Sequence, residues 1–86
     1  METAQILRIG RTIALGANET IFSKTIDLIN ESGYRIDFLA EMSGVSESTL
    51  YNWLNGGVKS PRMATVQNVL RALGYELRIV RVGFKH

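Results

Sequence analysis

The stretch "LAEMSGVSESTLYNWLNGG", Leu39 to Gly57, sets a lone glycine between two segments of helical pattern. Before Gly44, the spacing predicts a short helix from about Ile36 to Ser43, with Leu39, Ala40 and Met42 turned inward and Asp37 in the first turn. After it, Ser46 is the expected cap of another helix through roughly Asn55, with Leu50, Trp53 and Leu54 as apolar positions. Two helices joined by so short a turn need a residue that reaches φ > 0 where the first one ends. Glycine does so without steric cost. They also need a small side chain where their backbones approach, and Ala40 fits, four residues before Gly44. Val45, Leu50 and Trp53 then supply inward anchors after the turn.

Working outward, Ile21, Phe22, Ile26 and Ile29 recur at helical spacing. Asn18 is the expected N-cap of that helix, Glu19 suits its first turn, and Gly33 supplies the stop. On the other side, Gly56-Gly57 ends the Ser46 helix. Ser60-Pro61 is expected to open a further one, Ser as cap and Pro at the first helical position. Met63, Val66, Val69, Leu70 and Leu73 form its stripe, and Gly74 stops it. The two ends differ from this middle. Tyr75–Phe84, "YELRIVRVGF", is rich in β-branched residues and reads as a strand. Ile6–Leu15 also looks strand-like, with Leu7, Ile9, Ile13 and Leu15 at odd positions around Gly10.

A chain of 86 residues makes one domain with a single modest core, and domains of this size gain from dimerising. There is no cysteine, which excludes disulfides and thiolate metal sites, and the one histidine is His86. No apolar run approaches the ~20 residues that span a bilayer. The N-terminus, Met-Glu-Thr, has no basic region followed by an apolar stretch, so a cytoplasmic location without a signal peptide is expected. Net charge is +2 and unevenly placed. Residues 1–45 carry Arg8, Arg11, Lys24 and Arg35 against Glu2, Glu19, Asp27, Glu31, Asp37 and Glu41. Residues 46–86 carry Lys59, Arg62, Arg71, Arg78, Arg81 and Lys85 against only Glu47 and Glu76. The positive half begins at the segment after the glycine. Charge alone does not separate this from chance in so short a chain.

Glycine, small residue and apolar anchors together make the helix-turn-helix pattern. The chain also resembles the Cro/repressor (Xre-like) helix-turn-helix family: Leu39-Ala40, Gly44-Val45-Ser46, Leu50, Trp53 and Asn55-Gly56 stand at matching places. The resemblance continues through Lys59-Ser60-Pro61-Arg62 to "LRALG", Leu70–Gly74, and covers about two-thirds of the chain, Glu19 to Gly74. It implies a mainly α fold, a repressor-like bundle of four or five helices, here with short β-strands at the termini. The expected domain is single over 1–86: an N-terminal arm or strand (1–18), a helical core (19–74) and a C-terminal strand (75–86). One departure stands at the start of the second helix, where the family often carries glutamine on a phosphate and this chain has Ile36. The terminal strands lie outside the minimal repressor domain, and a strand after the last helix more loosely resembles HigA/HipB-type antitoxins.

In such a motif the helix after the turn lies in the major groove with its N-terminal residues at the base edges. Opposite Leu50 and Trp53 it would present Glu47, Ser48, Tyr51, Asn52 and Asn55 as base-contacting candidates. Asn52 leads them, because a carboxamide pairs bidentately with adenine N6/N7. Ser48 suits a base or a phosphate. Glu47 can accept from cytosine N4 but equally suits the positive helix start, and Tyr51 offers a hydroxyl to phosphate or its ring to a thymine methyl. The plain alternative for all five is an ordinary solvated face. Phosphate contacts are expected from Ser46, Thr49, Lys59, Ser60 and Arg62. For Ser46, capping comes first. For Arg62, a cation set against a helix dipole makes sense where an anion sits beside it. The alternative is a tolerated surface charge. Trp53 is expected in the core.

No histidine, cysteine or carboxylate pair is arranged for acid–base or nucleophilic work, and Gly56-Gly57 lacks the Lys-Ser/Thr of a P-loop, so neither an enzyme nor a cofactor is expected. The expected partner is double-stranded DNA, a palindromic operator bound by a homodimer acting as a small repressor. The competing reading is an antitoxin that binds a toxin through its terminal strands and represses its own operon.

Overall fold

The computed structural model describes residues 2–8, 11–14, 20–58 and 60–81. In chain order the elements are β1 (Glu2–Arg8), β2 (Arg11–Ala14), α1 (Ile21–Ser32), α2 (Ile36–Ser43), α3 (Glu47–Leu54), α4 (Met63–Ala72) and β3 (Tyr75–Arg81). The fold is mainly helical, with strands at the ends of the chain as expected.

The turn between α2 and α3 forms where its residues dictate. Gly44 takes φ 72° and ψ 14°, a left-handed conformation that L side chains rarely adopt, and its N–H donates to the Ala40 carbonyl at 2.9 Å. Ser46 then caps α3, its Oγ accepting from the Thr49 N–H at 3.1 Å. Leu39, Val45, Leu50 and Trp53 are all buried, so the turn is clamped from both sides by apolar packing. Met42, expected inward, is instead 41% exposed. At 100° per residue, Ile36, Leu39, Ala40 and Ser43 share one narrow stripe of α2, and Met42 lies about 110° off its centre.

α1 begins later than the sequence suggests. Thr20 is its N-cap in a reciprocal capping box: Thr20 Oγ1 accepts from the Ser23 N–H and Ser23 Oγ from the Thr20 N–H, each at 3.0 Å. The expected cap Asn18, and Glu19, lie outside the described residues. α4 also begins later. Arg62, not Ser60, is its N-cap, with extended backbone at φ −68° and ψ 133°, which leaves Pro61 before the helix. Ser-Pro is as good a turn signal as a helix start, and here the turn prevails. Met63, expected in the α4 stripe, is 46% exposed because the buried stripe starts a turn later, at Val66, Val69 and Leu70.

The three strands form one antiparallel sheet in the order β2-β1-β3. The segment Ile6–Leu15 is therefore not one strand. The chain reverses between Arg8 and Arg11, which pair with each other, while residues 9, 10 and 15 lie outside the described residues. Reversal also inverts the parity of the pattern: fully buried Ile6 stands opposite Ile13 and Leu77, where the odd-numbered alternation has Leu7. β3 starts at Tyr75 as expected and is described to Arg81; the rest of the expected strand, to Phe84, lies outside the described residues. The core joins Ile6 and Tyr75 of the sheet to Leu28 and Ile29 of α1, Leu39, Leu50, Trp53 and the α4 stripe. None of the described helices is long and apolar enough to cross a membrane.

Candidate nucleic-acid interface

α3 carries two opposed faces. Leu50 (0% exposed) and Trp53 (3%) are buried, and Trp53 meets Phe22 of α1 edge-to-face, ring centroids 5.2 Å apart at 89°. On the other side Glu47, Ser48, Tyr51, Asn52 and Asn55 are all exposed. At 100° per residue the five span an arc of roughly 140°, wide enough to follow a groove floor and narrow enough to face it at once. Asn55 sits at the C-cap, so it stands at the rim of this face. Among the described residues the Asn52 side chain has no hydrogen-bond partner, so its carboxamide is available to a ligand.

Beside this face runs a groove between the turn, α3 and the start of α4. Ser46, Thr49, Ser60, Arg62, Thr65 and Asn68 supply its polar lining. Four of the five residues expected on phosphate are thus brought together; the fifth, Lys59, lies outside the described residues. Ser46 is fully engaged. It accepts from the Thr49 N–H and donates to Thr49 Oγ1 at 2.9 Å. Thr49 Oγ1, already an acceptor, keeps its own proton to give into the groove. Thr65 and Asn68 are not among the residues the sequence points to. Their signal is spacing: with Arg62 they recur every three residues along one side of α4.

The start of α4 differs electrostatically from the other three helix starts. α1 and α3 are closed by Thr20 and Ser46, and α2 has Asp37 in its first turn. α4 has neither a capping side chain nor an acid there, and its N-cap is the exposed cation Arg62. Arg62 has no carboxylate partner among the described residues. Free N–H groups, a helix dipole and an unpaired guanidinium converge on one spot, an arrangement that attracts an anion.

Two helices clamped about a left-handed glycine, the second with a solvent-facing polar arc, define a helix-turn-helix domain. The helix-turn-helix family model matches residues 27–80, more than half of the chain, from within α1 to near the end of β3. The chain belongs to this Cro/C1-type, Xre-like family and is a DNA-binding helix-turn-helix regulator. No curated protein and no solved structure matches it.

Proposed function

We propose that this protein is a transcriptional repressor that reads a palindromic operator as a homodimer. α3 enters the major groove, with Glu47, Ser48, Tyr51, Asn52 and Asn55 at the bases. The exposed polar arc opposite buried Leu50 and Trp53 carries this reading. Thr49, Ser60 and Arg62, with Lys59, hold the flanking phosphates, and Ser46 assists by fixing Thr49. Repression follows from occupancy, since a domain seated in the groove excludes other proteins from the same base pairs.

Arg62→Ala is expected to weaken binding to all sequences about equally. It should flatten the slope of log K against log salt by ~0.9 for each phosphate that the arginine no longer neutralises, and by about twice that in a dimer. Lys59→Ala should do the same. A salt titration with the wild-type slope in both variants would place these cations in solvent and remove the phosphate assignment.

The dimer reading rests on β3. It is an edge strand of the sheet, and an edge strand's outer backbone groups call for a partner. Antiparallel pairing with the β3 of a second chain would supply one and set two recognition helices on one duplex, about 34 Å apart. Adjacent residues of a strand direct their N–H groups to opposite edges, so Ile79→Pro and Val80→Pro separate the inner ladder from the outer. One of the two should sediment as a folded monomer with weakened palindrome binding. Dimers in both would exclude β3 as the interface. A wild-type monomer that pairs only with a toxin-like protein would favour the antitoxin reading.

A further inference from the structure

Asn55 is followed by Gly56, and no other asparagine of the chain precedes a glycine. Asn18 and Asn30 precede glutamate, Asn52 precedes Trp53, and Asn68 precedes Val69. The pairing has a chemical consequence. An asparagine amide carbon lies within reach of the next residue's backbone nitrogen, whose attack closes a five-membered ring. A side chain on that next residue crowds the attack, and glycine has none. The surroundings of Gly56 are open: even a Cβ built there would meet no heavy atom within 4 Å beyond its two chain neighbours. The Asn55 side chain is exposed and makes no hydrogen bond among the described residues, so none of them holds its amide away.

The closed fold restrains this reaction through the backbone. The Gly56 N–H donates to the Trp53 carbonyl at 3.2 Å, and the Gly57 N–H to the Asn52 carbonyl at 2.9 Å. The Gly56 nitrogen must leave its acceptor and lose its proton before it attacks. Both bonds lie in the closing turn of an eight-residue helix, where local opening costs least. Asn55 is the C-cap of α3, at the negative end of the helix dipole, and the last turn of α3 carries no basic residue. A carboxylate formed there would stand without a cation, at the rim of the polar arc.

We propose that Asn55 is a site of spontaneous conversion to aspartate and isoaspartate, and that the converted protein releases DNA. Hydroxide takes the Gly56 amide proton, and the nitrogen attacks Asn55 Cγ. As the new N–Cγ bond forms, the bond from Cγ to the side-chain nitrogen breaks, and that nitrogen leaves as ammonia with a proton from water. Water then opens the succinimide at either carbonyl. One opening gives aspartate; the other gives isoaspartate, in which the chain runs through Cγ. In sum, one amide and one water become one carboxylic acid and one ammonia, with no oxidation or reduction. Each conversion lowers the net charge of +2 by one unit. The release rests on α3 facing the duplex, as proposed above; the chemistry does not. DNA seated on α3 holds its last turn closed, so bound protein is spared while the free pool ages.

The test incubates the full chain at pH 8 and 37 °C and follows mass and DNA affinity together. The mass should rise by about one dalton, and fragmentation of the tryptic peptide 36–59 should place the change at Asn55 and not at Asn52. Asn55→Gln, whose amide would need a six-membered ring, should keep its mass. Converted wild type should bind mixed-sequence duplex DNA about fivefold more weakly than the same protein before incubation, the factor for one charge repulsion at about 4 Å in water. That deficit should shrink as salt rises, which a misfolded product would not show. With DNA at about ten times its Kd, conversion should slow about tenfold, because the closed turn is the form that binds. A constant mass, or a change placed at another asparagine, overturns the site. Converted protein with unchanged affinity, or equal rates free and on DNA, overturns the release. Fresh protein that binds no duplex DNA would instead overturn the functional reading, and the mass would still decide the chemistry.

Discussion

Trp53→Ala is expected to lower the free energy of unfolding by about 3–5 kcal/mol, measured by urea denaturation. The indole is 3% exposed on the inner face of α3 and forms an edge-to-face pair with Phe22, so truncation both opens a cavity and leaves α1 without its aromatic partner. Domains commonly have only about 5–15 kcal/mol in total, and a chain this short sits toward the lower end. The loss therefore removes much of the stability, and DNA binding at 25 °C should fall in step with the folded fraction. Trp53→Phe should recover part of both, because it refills some of the volume. A loss below about 1 kcal/mol would mean that α3 is held by Leu50 and the turn alone.

Asn52→Ala is expected to behave in the opposite way, with stability unchanged and specificity relaxed. The side chain is exposed and makes no hydrogen bond within the described fold, so its removal should alter unfolding by less than about 0.5 kcal/mol. On DNA it should lose ~1–3 kcal/mol of discrimination at one position in each half-site, with a smaller loss on unrelated sequence. Selecting bound sites from a random duplex pool with both proteins provides the measurement. A motif identical to wild type would show that Asn52 faces solvent in the complex, and the base-reading assignment would pass to Ser48 and Tyr51.

The helix-turn-helix is legible in the sequence because each of its requirements is local. A left-handed turn selects Gly44, a helix start selects Ser46, and a 3.6-residue period selects Leu50 and Trp53. Sequence and structure part where the deciding neighbour lies far away along the chain. Met42 and Met63 are apolar and suitably spaced, yet no other described element covers them. Ser60 is a good cap in isolation, but the path of the chain through Pro61 delays α4 to Met63. The N-terminal hairpin looks like one strand because a two-residue reversal is short enough to hide within an alternating pattern, and only pairing with Leu77 shows that Ile6 is the buried position. The groove between the turn, α3 and α4 is partly legible. Ser46, Thr49, Ser60 and Arg62 come from three consecutive segments, whereas Thr65 and Asn68 join them only once α4 is laid beside the turn.

The pairing of the first strand with the last also sets the order in which this chain assembles. β1 closes on β2 over a short span, Ile6 to Ile13, whereas its other edge waits for Leu77. That second closure spans a loop roughly ten times longer, which adds about 2 kcal/mol of entropic barrier by the (3/2)RT ln n rule. Hairpins form in microseconds and helices faster still, so both precede it. β3 thus joins late, after the four helices have gathered and shortened the effective distance. During synthesis, β1 leaves the ribosome before the helices and lacks its β3 partner until nearly the whole described chain has followed it. The nascent protein completes α3 before its sheet, and it has no β3 edge to offer a second chain until the last described element has been made.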